Sequence, residues 1–241
     1  MTDGHMMDFD RFGRITASVV PAILRSDPYH SRRWAWRVIT GREPIREPGW
    51  DAKRGLTHEE DAIAVVEAQL SVLALPGRFV PHRDIDWLGS SPDGFIREDY
   101  EGSGYYIPVE AKCPRGIHID VPPWYYDQVQ TQLECCNCPY GYFVSWTDSQ
   151  QYVKKVERST IWWQNSYPVL KEFHEQYIEP DICPPISPRR KTVKAQEAQT
   201  PPPDENVQSV KRGRGRPRKI KEENHGTALQ DQGNAEVQTG E

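Results

Sequence analysis

The segment Ser90-Ser91-Pro92-Asp93-Gly94 is the most informative part of the chain, together with Glu110-Ala111-Lys112, which follows the aspartate by seventeen residues. The second triplet lies in the run Tyr105–Cys113, whose aromatic and β-branched residues predict a strand. Residues two apart in a strand point to the same face, so Glu110 and Lys112 share one face. An apolar strand with both charges on one face indicates a functional site.

A hard-cation site is one explanation for these charges. Asp93 and Glu110 supply carboxylate oxygens, the Ala111 carbonyl adds a third ligand, and water fills the remaining positions, as Mg²⁺ prefers. Lys112 then lies beside a metal-bound water and favours hydroxide for attack on phosphorus. The alternative is a surface ion pair between Glu110 and Lys112, which stabilises little.

Glu59 strengthens the first interpretation. Thr57 is expected to cap an acidic helix whose apolar line is Ile63, Val66 and Leu70. Glu59 falls on that line, so it projects toward the core and needs a cation or a donor, because an unpartnered buried carboxylate costs several kcal/mol. The alternative is a first-turn glutamate bonded to backbone N–H groups.

The other elements predict a mixed α/β domain of the α+β type, a central mixed sheet flanked by helices. Two helices flank Asp27-Pro28, between Ser18 and Thr40. Strands are expected at Phe79–Ile85, Gly94–Ile96 and Tyr105–Cys113 as a meander, with Arg97–Gly104 as a loop. A helix from Pro122 to Cys138, strands at Tyr142–Thr147 and Gln151–Glu157, and a helix at Thr160–Ile178 follow.

Amide side chains occupy one stripe of the Pro122–Cys138 helix, where Tyr125, Gln128 and Gln132 fall together. Amides beside a metal site hydrogen-bond phosphate oxygens or the attacking water. The alternative is that this stripe faces solvent.

Charge and composition divide the chain near residue 183. Residues 1–183 have a net charge of −8 and contain all eight Trp and all eleven Tyr, whereas residues 184–241 have a net charge of +3. We therefore expect a folded domain over 1–183 and a disordered Pro-rich tail over 184–241.

A basic motif lies in this tail at 211–221, where seven of eleven residues are Lys or Arg. Its central Gly-Arg-Pro, flanked by further arginines, resembles an AT-hook, whose arginines enter the narrow minor groove of A·T-rich DNA. We expect a flexible tether that adds a second DNA contact. A solubilising tail and a nuclear-import signal are the alternatives. The expected DNA contacts are Arg212, Arg214, Arg216 and Arg218.

Taken in order, R-F-G-R-I-T-A-S, G-L-T-H-E, S-S-P-D-G, V-E-A-K-C-P and Y-Y-D-Q-V-Q-T-Q resemble the motifs of the phage lambda-type exonucleases, or YqaJ-type viral recombinases, of the PD-(D/E)xK nuclease superfamily. The resemblance runs from about Arg11 to Tyr177. It implies a restriction-endonuclease-like core with a central mixed sheet.

The resemblance also implies roles for individual residues. Asp93 and Glu110 become metal ligands, Lys112 activates water, and Glu59 completes the acidic site. Contacts to DNA phosphates, including the 5′ phosphate, are implied for Arg11, Ser18, Ser91 and Gln128.

The family's activity is Mg²⁺-dependent 5′→3′ digestion of one strand of linear double-stranded DNA, with Mn²⁺ as an alternative metal. It leaves a 3′ overhang for a single-strand annealing partner, and family enzymes often form a homotrimer around the duplex. Two alternatives stay open for this chain. One is a restriction-type endonuclease, which uses the same acidic residues, and the other is an inactive DNA-binding protein tethered by its tail.

Two further features bear on the setting. No run of about 20 apolar residues is present, so no membrane span is expected. Five cysteines, three of them at Cys135, Cys136 and Cys138, argue against a disulfide framework and for a cytoplasmic protein, with the nucleus as an alternative. Their spacing is unlike that of iron–sulfur ligands, so core packing is expected and no such cluster.

Overall fold

A computed structural model describes residues 11–44, 47, 49–100 and 103–186, without the side chains at 99, 100 and 103. Contacts divide the chain after Arg190, and all described residues belong to the first unit, Met1–Arg190. In chain order the elements are β1 (Ile15–Thr16), α1 (Val20–Leu24), α2 (Arg32–Ile39), α3 (Trp50–Leu70), β2 (Ala74–Pro76), β3 (Val80–Pro81), β4 (Leu88–Ser90), β5 (Gly94–Tyr100), β6 (Ser103–Lys112), α4 (Pro123–Cys136), β7 (Tyr140–Trp146), β8 (Gln151–Glu157), α5 (Thr160–Phe173) and a π-helix (His174–Ile178).

Five strands form the larger sheet in the order β2-β5-β6-β7-β8. The pairs β2–β5, β5–β6 and β7–β8 are antiparallel, whereas β6 and β7 are parallel and are connected through α4. Parallel neighbours need such a crossover, because a short turn cannot return the chain to the same end of the sheet. The sheet is therefore mixed, as the sequence predicts.

Helices cover the two faces of this sheet. Ala62 and Val66 of α3 join the apolar core with Val109 and Ala111 of β6, while Leu133 of α4 joins it from the opposite side. The strand alternation explains the division, since successive side chains point to opposite faces. Even-numbered residues at the end of β6 therefore point to the α4 side.

A second core packs around the smaller sheet, in which β4 lies between β1 and β3. β1 is parallel to β4, with Thr16 opposite Gly89. Apolar side chains of α1, α2 and α5 pack against it, among them Ile23, Trp36 and Phe173. This core fixes the start of the Ser90–Gly94 segment.

The predicted mixed α/β class and the main elements are confirmed, and several boundaries are wrong. Helix α3 begins at Trp50 after Gly49, so Thr57 is not its cap; the Thr57 hydroxyl donates to the Lys53 carbonyl inside the helix. Glu59 is consequently not in the first turn, which removes the alternative that backbone N–H groups satisfy it.

The predicted meander is also wrong. Within Phe79–Ile85 only Val80–Pro81 forms a strand, and it pairs with β4 in the smaller sheet. The predicted loop Arg97–Gly104 is instead mostly strand, because β5 and β6 continue to a turn between Tyr100 and Ser103. The short strands β1, β2 and β4 were not expected. The last helix changes to π-helical hydrogen bonding at His174.

None of the helices within the described residues is long and apolar enough to cross a membrane.

Candidate active site

Glu110 is the centre of the site. It lies on β6, its side chain is only 1% exposed, and it accepts a hydrogen bond from Lys112 Nζ. From α4, Gln128 Nε2 donates to Glu110 Oε1 at 2.5 Å and Gln132 donates to Oε2. Three donors therefore hold a carboxylate that burial would otherwise destabilise.

Asp93 is bound to the same strand through two hydrogen bonds. Its backbone N–H donates to the Val109 carbonyl at 3.0 Å, and its Oδ2 accepts the Ala111 N–H at 2.7 Å. Within the described residues, no hydrogen bond uses Asp93 Oδ1. The turn that precedes β5 thus fixes this carboxylate beside Glu110.

The electrostatics of the site favour binding of a cation. Burial raises the pKa of Glu110 to about 7, and the negative charge of Asp93 adds to the increase. Burial also raises the pKa of Asp93, although Lys112, the Ala111 N–H and Arg11 act in the opposite direction. For Lys112, burial lowers the pKa, but Glu110 and Asp93 together outweigh it, so the net pKa is raised and the ammonium form is retained.

Glu59 approaches this group from α3. Burial and then the charge of Asp93 raise the pKa of Glu59, which places the two carboxylates within electrostatic reach of each other. Glu59, Asp93, Ser91 and Arg11 line one cleft of about 680 Å³. Glu60, the next residue, is exposed, as the helical line predicts.

The donor set fits a magnesium ion with few protein ligands. Among the described residues, no three His, Cys, Asp or Glu side chains are close enough to hold a metal by themselves. Mg²⁺ needs only one or two carboxylates, because it keeps several waters. Asp93 is half-buried beside the buried Glu110. The charge of Asp93 helps to raise the pKa of Glu110, a repulsion that a divalent cation would relieve. Ala111, whose N–H binds Asp93, directly follows Glu110 on β6.

The predicted phosphate contacts lie around the same place. Arg11 and Ser91 line the cleft, and the Ser91 hydroxyl is buried with no hydrogen-bond partner within the described residues. Ser18 is exposed just beyond β1, where the Ala17 N–H donates to the Gly89 carbonyl beside the Ser90–Gly94 segment. Gln128 contacts Glu110, so its amide is already engaged by the carboxylate.

Not every predicted contact can be placed. Arg212, Arg214, Arg216 and Arg218, with the motif at 211–221, lie outside the described residues.

Gln132 is a site residue that the sequence analysis placed on the amide stripe without assigning it to the site. It is 1% exposed and donates to Glu110. The available signal is its spacing of four from Gln128, which puts both amides on one stripe of the helix. The alternative that this stripe faces solvent is wrong for Gln132 and for Gln128, which is half-buried.

The cysteine cluster ends α4. Cys135 and Cys138 are buried and Cys136 is half-buried, and all three are free thiols. Burial raises the pKa of Cys138 to about 11 and that of Cys135 to about 12, so these thiols are protonated at neutral pH. Packing of the thiols agrees with the sequence-based expectation, and the absence of an iron–sulfur cluster stays a prediction.

Solved structures share this fold. An alkaline exonuclease (LHK-Exo) from Laribacter hongkongensis is 22% identical, with a TM-score of 0.60 over 73% of this chain and 93% of that chain, and its complex with dAMP gives the same values. A phage-related exonuclease from Haemophilus somnus 129PT is 10% identical, with a TM-score of 0.53 over 73% of this chain and 97% of that chain. No curated protein sequence is significantly similar. This chain therefore shares the fold of these exonucleases.

The YqaJ-like viral recombinase domain matches residues 9–139, which is more than half of the chain. The chain belongs to this family, and the family together with the fold supports a nuclease that acts on DNA.

Proposed function

We propose that this protein is a Mg²⁺-dependent exonuclease that digests one strand of linear double-stranded DNA in the 5′→3′ direction and leaves a 3′ overhang. The observation that carries the proposal is the buried Glu110, bound by Lys112 and two glutamines and joined to Asp93 through the Ala111 N–H. A protein that only binds DNA does not need a buried carboxylate, a second half-buried one and a lysine in one place.

Asp93, Glu110 and the Ala111 carbonyl would hold the magnesium ion. When bound, the ion supplies Lewis-acid stabilisation for the phosphate and lowers the pKa of water. Lys112 would orient the attacking water, a role supported by the contacts of its Nζ with Glu110 and with the Tyr125 ring, whose centroid lies 5.3 Å away. The glutamines of α4 keep the Glu110 carboxylate in one orientation.

The surrounding polar groups suit a DNA strand end. Arg11 and Ser91, whose hydroxyl has no partner among the residues that the structure describes, line the cleft that contains Asp93. Charged and hydroxyl donors of this kind bind phosphate oxygens without reading sequence. We assign them, with Ser18 and Gln128, to the 5′-terminal phosphate and the scissile nucleotide. The dAMP complex of the Laribacter exonuclease supports a mononucleotide product.

Further partners belong to the same proposal. A homotrimer enclosing the duplex would explain processive digestion, and a single-strand annealing protein would take the 3′ overhang. The basic motif at 211–221 would hold A·T-rich duplex near the nuclease, and the cytoplasm is the expected compartment.

The test is digestion of linear duplex with 5′-phosphate or 5′-hydroxyl ends, beside a covalently closed circle, in Mg²⁺ or in EDTA. We expect degradation of the phosphorylated linear DNA in Mg²⁺ only, with Mn²⁺ as a substitute, and with label at the 5′ end released first. Cutting of the closed circle would identify an endonuclease instead. Binding without any digestion in either metal would identify an inactive DNA-binding protein.

A further inference from the structure

Arg78 is a cation at the cleft that the predicted site does not include. It lies on the loop between β2 and β3, and with Arg11 it is one of two basic residues among those lining the cleft. Its guanidinium carbon lies 5.8 Å from the Phe95 ring centroid and 5.5 Å from that of Tyr106. Over the residues that the structure describes, no carboxylate lies within ion-pair distance of it and its N–H groups donate no hydrogen bond.

The loop that carries Arg78 is fixed to the backbone of Asp93. The Gly77 N–H donates to the Asp93 carbonyl at 3.1 Å. A Cβ added at Gly77 would lie 2.1 Å from the Pro92 carbonyl oxygen, so only glycine permits this approach. Arg78 therefore directly follows Gly77, whose backbone contacts that of Asp93. This backbone contact sets the position of Arg78 relative to Asp93.

The two rings restrict the side chain further. A guanidinium stacked on aromatic faces keeps its N–H edge open and loses little freedom when it binds a planar anion. Phosphate oxygens are such a ligand, and Arg binds them with two parallel hydrogen bonds.

The surrounding charges favour a phosphate over an internal partner. Glu67, an acidic residue of the same cleft, accepts the Ala74 N–H at 2.7 Å and is engaged there. Glu59 lies near Asp93, where a bound divalent ion would attract it. Arg78 is exposed, so its guanidinium is accessible to a ligand from solution.

We infer that Arg78 binds a backbone phosphate flanking the scissile one and so sets the register of the DNA strand in the cleft. Phe95, whose ring the Arg78 guanidinium faces, follows Asp93 by two residues, or about 7 Å of extended chain, so the arginine lies next to the Asp93 site and not within it. The inference rests on the proposed function, since it presupposes DNA in this cleft.

The experiment measures binding of duplex DNA by fluorescence anisotropy from 0.05 to 1 M monovalent salt, in Mg²⁺, with the full chain carrying Lys112→Ala to prevent digestion. Arg78→Ala should weaken binding about eightfold at 0.1 M salt and make the log–log salt dependence shallower by about 0.9, the value for one phosphate contact. Arg78→Lys should keep the slope. The control is Arg83→Ala, because Arg83 is 82% exposed and pairs with Asp84 outside the cleft.

An unchanged slope and affinity for Arg78→Ala would overturn the inference and leave the arginine a packing residue on its two rings. Arg78→Gln, which keeps part of that packing, serves if Arg78→Ala lowers the melting temperature. A different result would contradict the proposed function itself, and with it the inference on Arg78. In that case the Lys112→Ala protein would not bind duplex DNA and the unaltered protein would not digest it.

Discussion

Glu110 is a carboxylate in the interior of the protein, and its neighbours explain how it is tolerated. A buried charge without partners costs several kcal/mol, and it is retained where donors satisfy its lone pairs. Lys112 on the same strand and the two glutamines of α4 provide these donors. The same contacts fix the direction of the carboxylate before any ion binds, which is the preorganisation that catalysis needs.

Replacement of Lys112 tests its assigned role. Lys112→Ala should reduce Mg²⁺-dependent digestion of linear duplex by about 10²- to 10⁴-fold, the usual contribution of a group that assists proton transfer. Circular dichroism should show the fold retained, because the side chain is 24% exposed and lies at the end of β6. Lys154→Ala, on the exposed side of β8, is the matched control and should leave turnover unchanged. Turnover within tenfold of the unaltered protein would exclude the role.

Gln132 is expected to matter for stability as well as for orientation. Gln132→Ala leaves Glu110 Oε2 without its donor, and an unsatisfied buried acceptor costs about 1–3 kcal/mol. The free energy of unfolding in urea should therefore fall by that amount in metal-free protein. Gln164→Ala, at an exposed position of α5, should change it by less than about 0.5 kcal/mol. Equal effects of the two substitutions would show that the Gln132 hydrogen bond does not hold the carboxylate.

Among the elements, the long and periodic ones could be predicted from sequence and the short ones could not. The helix carrying Ile63, Val66 and Leu70 has a clear 3.6-residue period, and β6 has a strand-like composition. Strands of two or three residues, such as β1 and β2, are too short to show any period. Their hydrogen bonds come from distant partners, as when Thr16 pairs with Gly89. The predicted cap of α3, Thr57, lies eight residues after the observed cap, Gly49, because Thr57 has the side chain of a typical cap.

Some residues of the candidate site could likewise be predicted from sequence, whereas others could not. Asp93, Glu110 and Lys112 could be found from spacing, because strand alternation fixes which side chains share a face. Their contacts with α4 could not, since the sequence does not state which face of the sheet that helix covers. The sequence does not indicate Arg78, because no periodic pattern marks a loop residue. The position of Arg78 depends on the close approach of Gly77 to Pro92, which is a tertiary contact.

Two glycines give opposite predictions at the scale of the element. Gly77→Ala should destabilise the protein and slow digestion, because its Cβ would lie 2.1 Å from the Pro92 carbonyl and displace the turn before β5. Gly55→Ala should stabilise it by about 0.5–1 kcal/mol, since Gly55 lies within α3 and its Cβ would meet nothing within 4 Å. Thermal denaturation and duplex digestion measure both effects. A neutral Gly77→Ala would show that the turn can move without loss.

Considered as a whole, the described unit has two cores that share α4. Val129 and Leu133 belong to the core of the larger sheet, whereas Cys135 belongs to the second core. Asp127 lies where α4 meets its neighbours, accepting hydrogen bonds from the Ser26 hydroxyl at 2.5 Å and from Trp162 Nε1 at 2.7 Å. Through it, the segment after α1 and the start of α5 are fixed to the helix that supports Glu110.

Asp127 also makes stability depend on pH. Burial raises its pKa above 3.8, although the hydrogen bonds from Ser26 and Trp162 act against the shift. The pKa of Asp127 is higher in the folded state than in the unfolded state. Its contribution to the free energy of unfolding is therefore fully present below pH 3.8 and is lost as the pH rises through the folded-state pKa. Asp127→Asn is neutral throughout, so its stability relative to the unaltered protein should increase from pH 3.5 to pH 7 in urea denaturation. Gln164→Ala, at an exposed position that does not titrate, should show no such trend, and a flat difference for Asp127→Asn would contradict the assignment.

Removal of the basic region tests the proposed tether. The described chain packs through Cys183, which accepts a hydrogen bond from Arg33 Nε, and through buried Pro184, so the truncation should follow Arg190. For the truncated protein we expect unchanged turnover on linear duplex at saturating DNA and weaker binding of A·T-rich duplex. Full-length protein with both Arg214→Ala and Arg216→Ala should show the same weakening of binding. Loss of all turnover would show that the region belongs to the active site.

The parallel pairing of β6 with β7 has a consequence for synthesis on the ribosome. Glu110 and Lys112 leave the exit tunnel well before α4, which carries the glutamines, and before β7, which completes the sheet beside them. Until residues up to Trp146 have emerged, Glu110 has neither its amide donors nor its second neighbouring strand. Under the proposed function, the nascent polypeptide therefore gains nuclease activity only after most of the folded unit has been made.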